Sequence, residues 1–399
     1  MFTISPALSA AAKEPVHQLL TDELLERIRQ RALSVDETNA FPHEDFDELK
    51  AAGYLKVLAP TDLGGHGWDF QQVVYAQRLL AGAAPATALA INMHLVWNGV
   101  ARLMARAGVT EFERVFTDSV AGKIYAFGIS EPGNDAVLLD SMTTATPDGE
   151  GNYTLEGLKI FTSMSPVFDR LGVFGKDESA ADAEKLVYGF IDRDQDGWSA
   201  VENWDMLGMR GTQSKATKLE GIKLLAENIV RKIPVGPSPD PLIFSIFASF
   251  LTLIAAVYTG IGDRAVQLAA EGLQQRSTRV GAQLHGYESQ AEDPVMRDRI
   301  GALGMEAVTQ DALMQQLAQT LDNAEADLGP AWFPLFVTAR TKATAYALHA
   351  ATSGLELVGG ASFHRTHELS RIYRDATAGI YHPSSKKAAR ATVSDWLLG

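Results

Sequence analysis

Residues 125–175 read YAFGISEPGNDAVLLDSMTTATPDGEGNYTLEGLKIFTSMSPVFDRLGVFG, a run of β-branched and aromatic residues broken by turn formers inside a chain otherwise patterned for helices. Tyr153, Thr154 and Leu155 stand between a Pro-Asp-Gly-Glu-Gly-Asn turn and Glu156-Gly157. Ile160, Phe161 and Thr162 then open what reads as a second strand. With an alternating strand at residues 216–225, this predicts a β-domain from about residue 124 to residue 233.

On either side the period changes to that of helices. Leu19, Leu20, Leu24, Ile28 and Leu33 fall close to one helical face, residues 43–52 form a helix ending at Gly53, and residues 70–80 and 87–107 form two more. The last of these carries Asn92, His94, Trp97 and Asn98, of which His94 and Asn98, four apart, share a face. Residues 60–67, Pro-Thr-Asp-Leu-Gly-Gly-His-Gly, form a loop. Downstream, Pro234-Val235-Gly236-Pro237-Ser238-Pro239 reads as a linker, because prolines so closely spaced continue neither a helix nor a central strand. Helices resume at 242–274, 294–323, 330–352 and 384–398, with a polar surface loop at 275–293. The division is into residues 1–122, helical; 123–233, β; and 234–399, a helical bundle.

Composition narrows the function. The chain has 399 residues, 46% of them hydrophobic, enough for a sizeable core in two or three domains. A formal net charge of −14, with no basic run longer than Lys386-Lys387, argues against nucleic acid as a partner. The absence of cysteine excludes disulfides, thiolate nucleophiles and Cys-ligated metals. No metal site is expected: His364 and His367 are three apart but sit among arginines with no third ligand. The first residues, MFTISPALSAAAKEP, lack the basic start of a secretory signal, so the protein is expected in the cytoplasm. Residues 241–262 are 22 uncharged residues, long enough to span a bilayer, but serines and threonines dilute them. A buried bundle helix, and no membrane, is the expectation.

Two segments of the β-domain offer chemistry. Ser130-Glu131-Pro132-Gly133 can be a simple turn, or a rim of amides and a hydroxyl for a flat polar-edged ligand. Lys159-Ile160-Phe161-Thr162-Ser163 can be a half-buried strand, or a stacking ring with hydroxyls beside it. Together with Leu207-Gly208-Met209-Arg210-Gly211-Thr212, Leu357-Val358-Gly359-Gly360 and Arg374-Asp375-Ala376, their order resembles the acyl-CoA dehydrogenase superfamily of flavoproteins. The resemblance implies an α+β fold with an N-terminal helical domain, a middle β-barrel domain and a C-terminal four-helix bundle, assembled as a homotetramer or homodimer. It implies FAD, or alternatively FMN. Phe127, Ile129 and Ser130 would lie along the flavin ring, Phe161 on its face and Ser163 near N5. Arg276 stands for the arginine at the cofactor pyrophosphate, although the Phe-Gly that follows it in the family is here Val280-Gly281, one position displaced. Gly359 and Gly360 match a diglycine that approaches a neighbouring subunit's cofactor, with Glu356 where the family has glutamine.

The chain departs from that family at the catalytic base. Where most members carry Tyr-Glu-Gly-Thr it reads Tyr381-His382-Pro383-Ser384, and at the alternative position, on the first bundle helix, it has Ser249 or Phe250. His382 resembles instead the flavin-dependent monooxygenases that share the fold, which hydroxylate nitrogen, sulfur or aromatic carbon through a C4a-hydroperoxide. There, a second histidine comes from the N-terminal domain, and His94 is the candidate. A near-neutral pKa would let either histidine pass a proton. The expectation is a monooxygenase acting on a small non-CoA molecule, with a flavin reductase as candidate partner, its catalytic residues His382, His94 and Ser163. A dehydrogenase with a non-standard base and an inactive flavin- or ligand-binding scaffold are the alternatives.

Overall fold

The computed structural model describes residues 10–179, 184–202 and 204–399. The start of the chain, where no secretory signal was read, lies largely outside them. Six helices come first: α1 (Ala10–Leu19), α2 (Asp22–Thr38), α3 (His43–Ala51), α4 (Phe70–Ala83), α5 (Pro85–Arg106) and α6 (Glu113–Val120). The Thr21 hydroxyl caps α2, and Asp69 with Gln72 forms a capping box on α4. Asp322, far along the chain, also accepts the amides of Phe70 and Gln71 at 2.8 and 3.0 Å, which ties the start of α4 to the C-terminal bundle.

Eight strands follow: β1 (Tyr125–Gly128), β2 (Thr144–Pro147), β3 (Tyr153–Thr162), β4 (Arg170–Asp177), β5 (Lys185–Asp192), β6 (Trp198–Val201), β7 (Lys215–Leu224) and β8 (Ile229–Pro234). They form one sheet in the order β6-β7-β3-β2-β4-β5-β8, with β1 parallel to β4; the end strands β6 and β8 do not pair with each other. The two strands expected at 153–155 and 160–162 are one, β3. Glu156-Gly157 reads as a break in sequence, yet the strand runs through it with a register shift after Leu155. A Cβ at Gly157 would lie 2.5 Å from the Thr143 hydroxyl, so glycine here lets β3 pass close to its neighbour.

The rest is helical: α7 (Pro241–Gln275), α8 (Pro294–Asp322), α9 (Trp332–Val358), α10 (Glu368–Thr377) and α11 (Lys386–Leu398). Helix α7 passes the length and hydropathy test for a membrane span, but 83% of its apolar window is buried against α4, α5, α8 and α9. Its small residues permit the contact. A Cβ at Gly260 would sit 2.3 Å from the Arg78 carbonyl oxygen of α4, and one at Gly262 would sit 2.4 Å from the Tyr346 ring of α9. Helix α10 is an addition to the expected set. Its ten residues bury Arg371 and Asp375 beside Leu369, Ile372 and Ala376, and those polar residues hide the helical period.

The Ser-Glu-Pro-Gly segment is a structural hub as well as a turn. Glu131 and Lys159 form an ion pair at 2.6 Å with both side chains at 0% exposure. The carboxylate also accepts the hydroxyls of Ser141 and Thr143, the amides of Met142 and Thr143, and the Asn134 side chain. Lys159 donates a further bond to the Phe174 carbonyl and lies 4.2 Å from that residue's ring centre. Burial alone would raise Glu131, but Lys159 and the surrounding donors hold it down to about 2. Burial lowers Lys159 to about 8 against the pull of Glu131, so both are charged at neutral pH.

His94 joins the helical and β domains. Its Nε2 is 2.7 Å from the Leu55 carbonyl and its Nδ1 accepts the Tyr125 amide at 3.1 Å, which fixes the neutral Nε2–H tautomer. Burial pushes its pKa down to about 4, against the opposing bond to Leu55.

Lys159→Met, which strands a buried carboxylate, is expected to cost about 3–5 kcal/mol in urea unfolding, and the Glu131→Gln/Lys159→Met double variant less than the sum of the singles. His94 gives a pH test. Because its folded pKa lies below the ordinary value of 6.5, its contribution is complete above pH 6.5 and is lost as the pH falls toward 4. His94→Gln is therefore expected to be less stable at pH 7.5, with the gap to wild type narrowing by about 2 kcal/mol at pH 5.

Candidate active site

A cavity of ≈390 Å³ opens where the three domains meet. Helix α5 gives it Leu89 and Met93, and α7 gives Phe250. The β-domain gives Phe127 from β1, Ser130, Phe161 and Ser163, and the turn after α10 gives Tyr381 and His382. The walls are aromatic and aliphatic, with Phe127 and Phe250 stacked at 5.4 Å between ring centres. No charged side chain lines it among the described residues. Of the residues at the two positions where the resemblance implies a carboxylate, His382 and Phe250 line the cavity and Ser249 does not.

Phe161 has φ 58, a left-handed conformation unusual for a bulky residue, and the residue is 49% exposed, its ring edge-on to Trp204. The end of β3 thus presents a half-exposed aromatic ring with Ser163 two residues on. Ser163 Oγ lies 2.7 Å from Ser214 Oγ, Ser214 Oγ lies 2.7 Å from Thr212 Oγ1, and Thr212 donates to the Met209 carbonyl at 2.9 Å. All three hydroxyls are buried in the cavity wall.

Residues 206–209 line the cavity and are held by their main chain. Asp375, buried in α10, accepts the Met209 amide at 2.6 Å, and Arg374 donates to the Leu207 carbonyl at 3.2 Å while pairing with Asp36 of α2. Arg210 donates to the Met206 carbonyl. A Cβ at Gly208 would lie 2.2 Å from the Arg374 carbonyl oxygen, so only glycine fits. Leu-Gly-Met-Arg-Gly-Thr and Arg-Asp-Ala, two separate motifs in sequence, are one contact in space. Burial raises Asp375 to about 6 despite neighbouring Arg371.

His382 lies on the cavity wall with Nε2 2.8 Å from the Tyr258 hydroxyl. Arg340 donates to the carbonyls of Gly379 and His382, fixing the turn. The expected near-neutral pKa is corrected here: burial, with the Arg340 guanidinium beside it, pushes His382 down to about 3. It is neutral across the physiological range. Burial likewise keeps Tyr258 protonated, far above the usual phenol range.

The cavity therefore gathers Phe127, Ser130, Phe161, Ser163 and His382, but not all the expected residues. Ile129 is buried outside the lining. His94 is also outside it, because both its nitrogens are committed to backbone partners. Arg276, Glu356, Gly359 and Gly360 form a second cluster at the far end of α7 and α9. There Arg276 donates to the Val358 carbonyl and Glu356 pairs with Arg299. Trp204, Thr212, Ser214 and Tyr258 were not foreseen. Tyr258 reads as one more residue of an apolar helix, and Ser214 lies just past the Gly211-Thr212 that drew attention.

A flavin ring suits these walls: flat aromatic faces from Phe127 and Phe161, hydroxyls from Ser130 and Ser163 at the edge, and a cavity within the usual size range for ligand sites.

Residues 11–116 match the acyl-CoA dehydrogenase N-terminal domain, and residues 252–386 match the acyl-CoA dehydrogenase C-terminal domain. The chain is 27% identical to the putative acyl-CoA dehydrogenase YdbM of Bacillus subtilis, covering 90% of this chain and 91% of that one. It is also 27% identical to an L-evernosamine nitrososynthase of Micromonospora sp., over 94% and 88% of the two chains, and to a dibenzothiophene monooxygenase of Rhodococcus qingshengii, over 95% and 92%. A solved structure of KijD3 in complex with FMN and a dTDP-linked amino-keto sugar superposes with a TM-score of 0.83 at 26% identity, over 100% of this chain and 97% of that one. With both helical domains matched and relatives aligned almost from end to end, the chain belongs to the acyl-CoA dehydrogenase superfamily.

Proposed function

We propose that the protein is a flavin-dependent monooxygenase acting on a small, uncharged, non-CoA substrate, and that its flavin is FMN. The carrying observation is a cavity with no carboxylate among its described lining residues. A dehydrogenase needs a base over the carbon whose proton it removes, and here the candidate positions hold Phe250 and a neutral histidine. The end-to-end similarity to a nitrososynthase and to a dibenzothiophene monooxygenase supports the same reading. FMN is favoured over FAD by the FMN in the KijD3 complex.

Phe127 and Phe161 would hold the ring, and Ser130 and Ser163 its polar edge. When bound in reduced form, the flavin supplies the electrons that activate dioxygen, one atom going to the substrate and the other to water. The aliphatic and aromatic walls keep bulk water from the reacting atoms, and they favour an apolar or aromatic substrate over a charged one. His382, neutral and braced by Tyr258, offers the substrate a fixed hydrogen-bonding group. With a cavity of ≈390 Å³ to be shared by flavin and substrate, reduced flavin would come from a separate reductase. The Arg276 and Gly359-Gly360 cluster would face another subunit of a homo-oligomer.

The test is oxygen-18 gas added to protein loaded anaerobically with reduced FMN and an uncharged nitrogen or sulfur heteroaromatic. Label in the product is expected. Bleaching of oxidised flavin by acyl-CoA thioesters, with no label incorporated, would overturn the reading. His382→Ala is expected to lower product formed per FMN oxidised by about tenfold or more, with hydrogen peroxide released instead. With His382 at about 3, the wild-type rate between pH 5 and 8 should show no ionisation that His382→Ala removes.

A further inference from the structure

The hydroxyl chain in the cavity wall has only one consistent direction. It contains three hydroxyl protons and three contacts. The Met209 carbonyl can only accept, so the Thr212 proton points to it. Thr212 Oγ1 must then accept from Ser214, and Ser214, its single proton used, must accept from Ser163. None of the three hydroxyls has another partner among the described residues, and all three residues are buried, Thr212 at 0% and both serines at 6% exposure. Every proton is assigned. What Ser163 Oγ turns toward the cavity is lone-pair density alone.

We infer that Ser214 and Thr212 are positioning residues that make Ser163 a pure hydrogen-bond acceptor, and that the site thereby selects reduced over oxidised flavin. The inference rests on the flavin reading given above. A reduced flavin carries a proton on N5 and can donate it to Ser163. An oxidised flavin has a bare N5, itself an acceptor, and would meet Ser163 lone pair to lone pair. A buried acceptor left facing another acceptor is costly, so the wall discriminates by redox state without any charged group. Release of the oxidised flavin would gain by the same device. Once the flavin is oxidised, the bond that held it is gone.

The experiment compares dissociation constants of reduced FMN, measured anaerobically, and oxidised FMN for wild type and variants. Wild type is expected to bind the reduced form more tightly. Ser214→Ala removes the acceptor for the Ser163 proton, freeing it to swing toward the cavity and donate to oxidised N5. The oxidised-to-reduced ratio should then fall about tenfold, chiefly through tighter binding of oxidised FMN. Ser214→Thr keeps the hydroxyl and should restore the wild-type ratio, which a merely structural role for residue 214 does not require. In a Ser163→Ala background, Ser214→Ala should have no further effect on the ratio. An unchanged ratio in folded Ser214→Ala, with FMN still binding, overturns this inference and leaves the flavin reading standing. Failure of wild type to bind either form overturns both.

Discussion

The β-domain is organised around a charge pair that water never reaches. Removing Glu131 and Lys159 from solvent is costly, and their attraction offsets that cost only while the other donors to the carboxylate are in place. Those donors come from the segment after the first turn, from the approach to β2 and from β3. Any other arrangement would leave a buried charge with too few partners. The consequence reaches the cavity directly, since Ser130 adjoins Glu131 and its carbonyl accepts the Ile160 amide, while Phe161 follows Lys159 on the same strand and Ser163 comes just after its end. A pair that adds little net stability therefore fixes the distance between the two sides of the candidate flavin site.

Much of the architecture is legible in the sequence, because helices with one apolar face declare themselves within a few turns. Helix α7 is apolar on every side, and its reading as a buried bundle helix agrees with its packing against α4, α5, α8 and α9. What escapes sequence reading is long-range. Glu131 looks like part of a turn until Lys159, Thr143 and Ser141 surround it. His94, read as a catalytic candidate, has partners 39 and 31 residues away that hold it as a joint between domains. His382 takes its properties from Tyr258, 124 residues distant, and from Arg340. Helix α10 is obscured for a related reason, since its buried Asp375 and Arg371 belong to contacts that only the folded chain creates.

The cavity is electrically neutral in a protein of net charge −14. The charges around it are matched locally: Arg374 with Asp36, Arg210 with Asp205 and Lys215 with Glu202. Orientation inside must then come from hydroxyls, ring faces and a neutral imidazole. This economy suits chemistry in which a reactive oxygen species has to be kept from stray protons and water, and it differs from a site built to extract a proton with a carboxylate.

The rim at residues 206–209 is hung by its backbone: an amide on Asp375, carbonyls on Arg374 and Arg210, and a glycine against α10. Met206 and Leu207, both facing the cavity, carry none of that support through their side chains. The two can be exchanged without disturbing what holds the rim, so the pocket mouth is open to variation while the framework beneath stays constant. For a lineage whose members oxidise unlike molecules on one scaffold, such a decoupling of support from contact gives selection a place to work.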